Sequence, residues 1–175
     1  MIDYRKRAEA IALVIFDVDG VLTDGSLYLG DDGQEYKAFN SRDGHGMTML
    51  REAGIELAVI TGRRSEVVRI RMESLGIEHI FQGRRDKLPA YESLRTASGL
   101  ADSQIAYVGD DVVDLPVMRH VGLAIAVADA HPLVKAHCHW QTQTPGGHGA
   151  AREVCEGLLE AQGKLGGLFA RYLGA

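Results

Sequence analysis

Four apolar runs, three of them stopping at a glycine, a hydroxyl or a carboxylate, predict an α/β protein built on a Rossmann-like, doubly wound parallel sheet. The runs lack polar alternation, the pattern of strands covered on both faces. Helical periodicity separates the later ones, and one early segment breaks that rhythm as a hairpin.

Ile11-Ala12-Leu13-Val14-Ile15-Phe16 forms the first buried strand and ends in Asp17-Val18-Asp19-Gly20. Ser26 to Leu29, the turn Gly30-Asp31-Asp32-Gly33, and Gln34 to Phe39 predict a β-hairpin flap over about residues 26–40. Glu56 to Ile60 is the second strand and ends in Thr61-Gly62. Ser65 is placed to cap a helix with Val68, Met72 and Leu75 on one face and Gly76 as its stop. Leu88, Tyr91 and Leu94 mark a helix that begins at Lys87 and ends at Gly99. Gln104 to Val108 is a strand leading into Gly109-Asp110-Asp111, and Asp114 to Val121 a short helix. Leu123 to Val127 is the last strand of this kind, and Ala150 to Gln162 the terminal helix. Residues 1–175 read as a single unit with a flap and a tail over about 163–175.

Composition limits the function. With 46% hydrophobic and 25% charged residues the chain has enough apolar surface for one core, which argues against disorder. A formal net charge of −5 argues against a nucleic-acid surface, where clustered Lys and Arg are needed. No run approaches the roughly 20 apolar residues of a membrane span, and the N-terminal apolar run closes on Asp17 rather than a cleavage site. Two cysteines form no disulfide framework, so a reducing cytoplasm is expected.

The chemistry is carried by the strand ends. A doubly wound sheet brings its carboxyl edges together, so Asp17, Asp19, Thr61, Lys87, Asp110, Asp111 and Asp114 converge. Crowded carboxylates call for a hard cation, and Mg²⁺ with phosphate oxygens suits them. A hydroxyl and an ammonium supply donors for further phosphoryl oxygens, and a carboxylate beside the metal can attack phosphorus. Receiver domains use similar parts, but with the acceptor aspartate after the acidic pair; here Asp-x-Asp comes first, which favours a phosphatase.

Phe16-Asp17-Val18-Asp19-Gly20-Val21-Leu22-Thr23-Asp24-Gly25, Thr61-Gly62-Arg63, Lys87 and Gly109-Asp110-Asp111 resemble, in order, the four motifs of the haloacid dehalogenase superfamily. Gln82-Gly83, Tyr107 to Asp111, Val127 to Pro132 and Ala161 to Leu165 extend the likeness to its capless phosphatases of eight-carbon sugar-acid 8-phosphates, from about Ala12 to Leu165. The resemblance implies Asp17 as nucleophile and Mg²⁺ ligand, and Asp19 as general acid/base with its carbonyl on the metal. It implies Asp110 as third ligand, Asp111 and Asp114 as supporting carboxylates, and Thr61, Gly62 and Lys87 as phosphoryl-holding groups. It also implies a homotetramer and a role in cytoplasmic lipopolysaccharide precursor synthesis.

Phosphatases of nine-carbon sialic-type acids are similar but tend to have Glu after Thr-Gly; Arg63 favours the eight-carbon substrate, whose carboxylate it can meet in bidentate fashion. A non-catalytic relative that binds sugar phosphates is the alternative from another class. The 44 positions from Asp17 to Thr61 and the 23 from Lys87 to Asp110 leave no room for a cap domain, so hairpins of neighbouring subunits are expected as lids. Asn40, Arg42, Asp43 and His45 follow the flap and are expected at its mouth, Arg42 and His45 as substrate contacts. The apolar tail Leu168 to Leu173 is expected either to dock, the resemblance implying an adjacent active site, or to be a frayed terminus. His148 stands where this family usually has Arg. A zinc reading of His131, His137, Cys138, His139 and Cys155 is set aside because strand alternation would turn Cys138 away.

Overall fold

The computed structural model describes residues 4–174. Six parallel strands form the sheet: β1 (Leu13–Phe16), β4 (Glu56–Ile60), β5 (His79–Phe81), β6 (Ile105–Gly109), β7 (Leu123–Ala126) and β8 (Trp140–Gln141), in the order β5-β4-β1-β6-β7-β8. The chain runs outward from β1 to β5, then crosses back to β6 and runs the other way. The sheet therefore reverses between β1 and β6, where an open α/β sheet has its ligand crevice. Leu13 is level with Ile105 and Phe16 with Val108, so the ends of β1 and β6 are flush.

The apolar runs are buried throughout: every residue of β1, β6 and β7 lies in the core. Helices α1 (Tyr4–Ala8), α2 (Ser41–Glu52), α7 (Ala150–Ala161) and α8 (Leu165–Leu173) form one packed group, with α2 against α7 as its main contact, and α4 (Leu88–Ser98) packs against α5 (Leu115–Met118). The hairpin is shorter than its apolar pattern suggested. Only β2 (Tyr28–Leu29) and β3 (Glu35–Tyr36) pair, antiparallel, because no second element covers them.

Several expectations shift locally. The helix expected from Asp114 to Val121 splits into a tight turn, Val112–Asp114, and α5, because the Asp114 side chain is drawn inward. Ser65 occupies the N-cap of α3 (Glu66–Ser74), but its hydroxyl makes no capping bond; instead its N–H donates to Gln82 Oε1 at 2.6 Å. His137, Cys138 and His139 follow α6 (Pro132–Ala136) in a turn rather than a strand. Each is used locally: His137 Nδ1 meets Leu133 O, Cys138 Sγ donates to Lys135 O, and His139 Nδ1 accepts from Ala124 N–H. Among the described residues, moreover, His131, His137, Cys138, His139 and Cys155 belong to no group of side chains placed to share a metal ion. The tail forms α8, packs on α7, and reaches α2 through Arg171–Glu52 and Tyr172–His45.

The loop after β1 is a compact turn in which Val18 O accepts from the N–H groups of Val21, Leu22 and Thr23. The segment before α7 wedges against it. Gly147 N–H donates to Val21 O, and a Cβ on Gly146 would lie 1.8 Å from Gly20 O. Asp43, nearly fully buried, accepts from Arg152 N–H in the first turn of α7 and fixes that helix on α2.

Gly146→Ala is expected to destabilise the protein by about 1–3 kcal/mol through overpacking of backbone on backbone. Gly166→Ala in α8, where nothing beyond its chain neighbours and its own helix backbone lies within 4 Å of the added methyl, is expected to stabilise by about 0.5–1 kcal/mol. Thermal denaturation of the two variants beside the parent checks the opposite signs.

Candidate active site

Asp17 follows β1 directly, and its side chain lies at the β1/β6 crevice although only 6% of its surface is exposed. Its Oδ1 accepts from Val18 N–H at 2.7 Å and faces Lys87 Nζ at 2.9 Å. Lys87, before α4, is 1% exposed and also reaches Asp114 Oδ1 at 2.7 Å and the Tyr107 hydroxyl at 3.2 Å. A buried ammonium is tolerated only when paired, and here all three of its N–H groups have partners.

Asp114 is the hub of the supporting network. Its Oδ1 accepts from Lys87 and the Tyr107 hydroxyl, and its Oδ2 from the N–H groups of Asp110 and Asp111. Asp17, Asp110 and Asp114 offer carboxylate oxygens within 4.8 Å of one another. Both Asp114 oxygens already accept two hydrogen bonds, however, which uses their lone pairs. Asp110 Oδ1 is buried and has no hydrogen-bond partner among the described residues. The donor set therefore fits a hard divalent cation held by Asp17 and Asp110, with Asp114 holding the ligand loop in place. Gly20 makes this approach possible: its φ is +93°, and a Cβ there would lie 2.2 Å from Asp110 Oδ2.

Burial, together with the Asp114 charge, pushes Asp17 up to about 7 against the pull of Lys87. Burial and the charges of Asp17 and Asp114 push Asp110 up to about 8. Lys87 is disfavoured by burial, but Asp17 and Asp114 outweigh this and raise it. Burial and Asp114 hold the Tyr107 phenol well above its usual range.

A cleft of about 670 Å³ opens over this cluster, lined by Asp17, Asp19, Thr61, Gly62, Lys87 and Asp110 together with a basic rim. The rim is Arg63, Arg64 and Arg85; only Arg63 was expected, although Arg64 and Arg85 adjoin strand-end turns already singled out. Thr61 is buried at the end of β4, and its Oγ1 accepts from Arg63 N–H at 3.4 Å. Asp111 caps the turn at Val112. Asp19 makes an ion pair with Lys37 of the flap, a residue the sequence reading passed over.

Arg42 and His45 do not line this cleft. Arg42 lies in the exposed first turn of α2, where its N–H donates to Asn40 Oδ1, and His45 packs edge-on against Tyr172 of α8. Following the flap in sequence does not bring them over the site, because α2 leads away from it toward α7. A larger cleft of about 870 Å³ lies along β8 and α7 but holds none of the strand-end carboxylates. Its own acids are occupied: Glu153 accepts from Gln143 and Thr144, and Glu156 pairs with Arg152.

Because Asp17 and Asp110 hold protons in the folded protein that the unfolded chain releases near 3.8, raising the pH works against folding until both have ionised, near 8. In chelator the melting temperature is expected to fall between pH 5 and 8. Mg²⁺ is expected to raise it more at pH 8 than at pH 5, and Asp110→Asn to flatten the dependence. Thermal scans across that range check each sign.

Residues 66–154 match the haloacid dehalogenase-like hydrolase family. The 3-deoxy-D-manno-octulosonate 8-phosphate phosphatase KdsC of Yersinia pestis is 50% identical over 94% of this chain and 88% of that one. The crystal structure of the Yersinia pestis phosphatase superposes with a TM-score of 0.93 at 50% identity, covering 95% of this chain and 90% of that one. The Moraxella catarrhalis phosphatase, solved in complex with magnesium ion, phosphate ion and KDO, superposes with a TM-score of 0.96 at 41% identity over 98% of this chain and 99% of that one. Given the strand-end site and this likeness over nearly the whole length, the chain belongs to the haloacid dehalogenase superfamily and, within it, to the 3-deoxy-D-manno-octulosonate 8-phosphate phosphatase family.

Proposed function

We propose that the protein hydrolyses 3-deoxy-D-manno-octulosonate 8-phosphate to the sugar acid and phosphate through an aspartyl-phosphate on Asp17. The observation that carries this reading is the pair Asp17 and Asp110 facing across the β1/β6 crevice, with buried Lys87 against Asp17. Mg²⁺ is the cofactor; Asp17, Asp110 and the Asp19 carbonyl would hold it, and it would supply charge neutralisation for the transferring phosphoryl group.

The protein's own groups then divide the work. Val18 N–H and Lys87 both engage Asp17 Oδ1, and Oδ2 has no hydrogen bond among the described residues. Oδ2 attacks phosphorus as the P–O bond to the sugar breaks, and Asp19 gives its proton to the departing oxygen. In the second half Asp19 takes a proton from water, whose oxygen bonds to phosphorus as the bond to Asp17 breaks. Thr61 Oγ1 and Gly62 N–H donate to the phosphoryl oxygens. Lys87 joins them by giving up its 3.2 Å bond to Tyr107, the longest of its three contacts. Arg63, on the cleft rim, receives the substrate carboxylate.

Residues 4–174 supply no cap over the cleft, and the flap presents Leu27, Tyr28, Leu29 and Tyr36 outward, Leu29 at 66% exposure. These side chains support a homotetramer in which neighbouring hairpins close the sites. No helix among the described residues is long and apolar enough to cross a membrane, and two free cysteines suit a cytoplasmic location.

Phosphate release from 3-deoxy-D-manno-octulosonate 8-phosphate is expected with Mg²⁺ and not in chelator. Asp17→Asn is expected to lower turnover roughly a thousand-fold or more. Absence of metal-dependent turnover would favour a sugar-phosphate-binding protein. Leu29→Asp is expected to give a smaller species in sedimentation velocity than the parent; an unchanged coefficient would count against the hairpin interface.

A further inference from the structure

The flap carries an ion ladder that ends on the acid/base residue. Lys37, one residue beyond β3, has a side chain only 1% exposed, and its Nζ pairs with Asp19 Oδ1 and with Glu35 Oε1, the latter at 2.9 Å. The same Glu35 oxygen faces Arg63 at 3.4 Å. Two anions and two cations therefore alternate in the order Arg63, Glu35, Lys37, Asp19. Exposed ion pairs contribute little and read as surface decoration. Lys37 differs, because a desolvated ammonium costs several kcal/mol unless its partners stay in place. Burial thus turns the pair into a geometric constraint on Asp19, whose own side chain is 20% exposed and follows the turn after β1 rather than a strand.

We infer that Lys37 is a positioning residue: it holds the Asp19 carboxyl over the leaving-group oxygen, and Glu35 orients Lys37. The inference rests on the acid/base role proposed for Asp19. Lys37 does not touch the reacting atoms. Its effect appears where proton delivery to the leaving oxygen matters, and it fades where the leaving group departs as a stable anion.

Phenyl phosphate and p-nitrophenyl phosphate separate the two cases, being nearly the same shape but unequal in leaving-group basicity. The readout is the ratio of kcat/KM for phenyl over p-nitrophenyl phosphate at saturating Mg²⁺, which cancels losses common to both substrates. Asp19→Asn is expected to lower this ratio about ten-fold or more, Lys37→Met about five-fold, and Lys37→Arg to recover most of the parent value. Glu35→Gln, at a partly exposed position that leaves Lys37 in place, is expected to lower it about two-fold. A Lys37→Met ratio equal to the parent's, beside a lowered Asp19→Asn ratio, overturns the inference. Should Lys37→Met fail to fold, a Glu35→Gln ratio equal to the parent's overturns it as well. An unchanged ratio in Asp19→Asn instead overturns the acid/base role itself.

Discussion

The buried charge at the β1/β6 crevice governs the rest of the structure. Three carboxylates and one ammonium lie where the sheet reverses: Asp17, Asp114 and Lys87 nearly out of water, and Asp110 half-buried beside them. Taking such ions out of water is unfavourable by several kcal/mol each, and one lysine cannot balance three anions. The protein resolves part of this internally by giving Asp114 four donors, from Lys87, Tyr107 and two backbone N–H groups. The remainder is left to the metal, which is why Asp17 and Asp110 are pushed up to about 7 and 8 without it.

Local sequence then follows from that constraint. Gly20 is required because Asp110 occupies the space of its missing side chain. Gly109 is required for a related reason, since a Cβ there would lie 2.6 Å from Asp114 Oδ2. The sequence alone suggests close approach to metal or phosphate at Gly20, Gly62 and Gly109. The structure assigns the crowding at two of them to aspartate side chains and finds only a 3.9 Å contact, to Arg84 O, at Gly62. Tyr107 belongs to the same economy: its phenol sits in an apolar strand because Asp114 needs its donor.

What was legible and what was not divides along physical lines. A strand buried on both faces must be an unbroken apolar run, so the first polar residue after it is conspicuous; this exposes Asp17, Thr61 and Asp110. The strands β5 and β8, three and two residues long, are too short to carry any pattern. Tyr107 reads as core because nothing local marks a phenol that bonds a residue seven positions away. Nothing local marks Lys37 either, since its burial depends on Asp19, 18 positions back. Arg42 and His45 show the opposite error, in which nearness along the chain stands in for nearness in space.

Lys37 also explains how so small a flap holds a defined place. Two paired residues on each side do not make a hairpin that is stable alone, and the outer face of this one is apolar and exposed. The ion ladder is a polar anchor between the flap and the body, running from Glu35 and Lys37 to Asp19 and Arg63. Flap order and acid/base geometry are thus one constraint seen from two ends. Arg63 adds a third term, because it faces the same Glu35 oxygen that pairs with Lys37. Residues 4–174, which supply no cap, thus tie the flap to the body through four side chains.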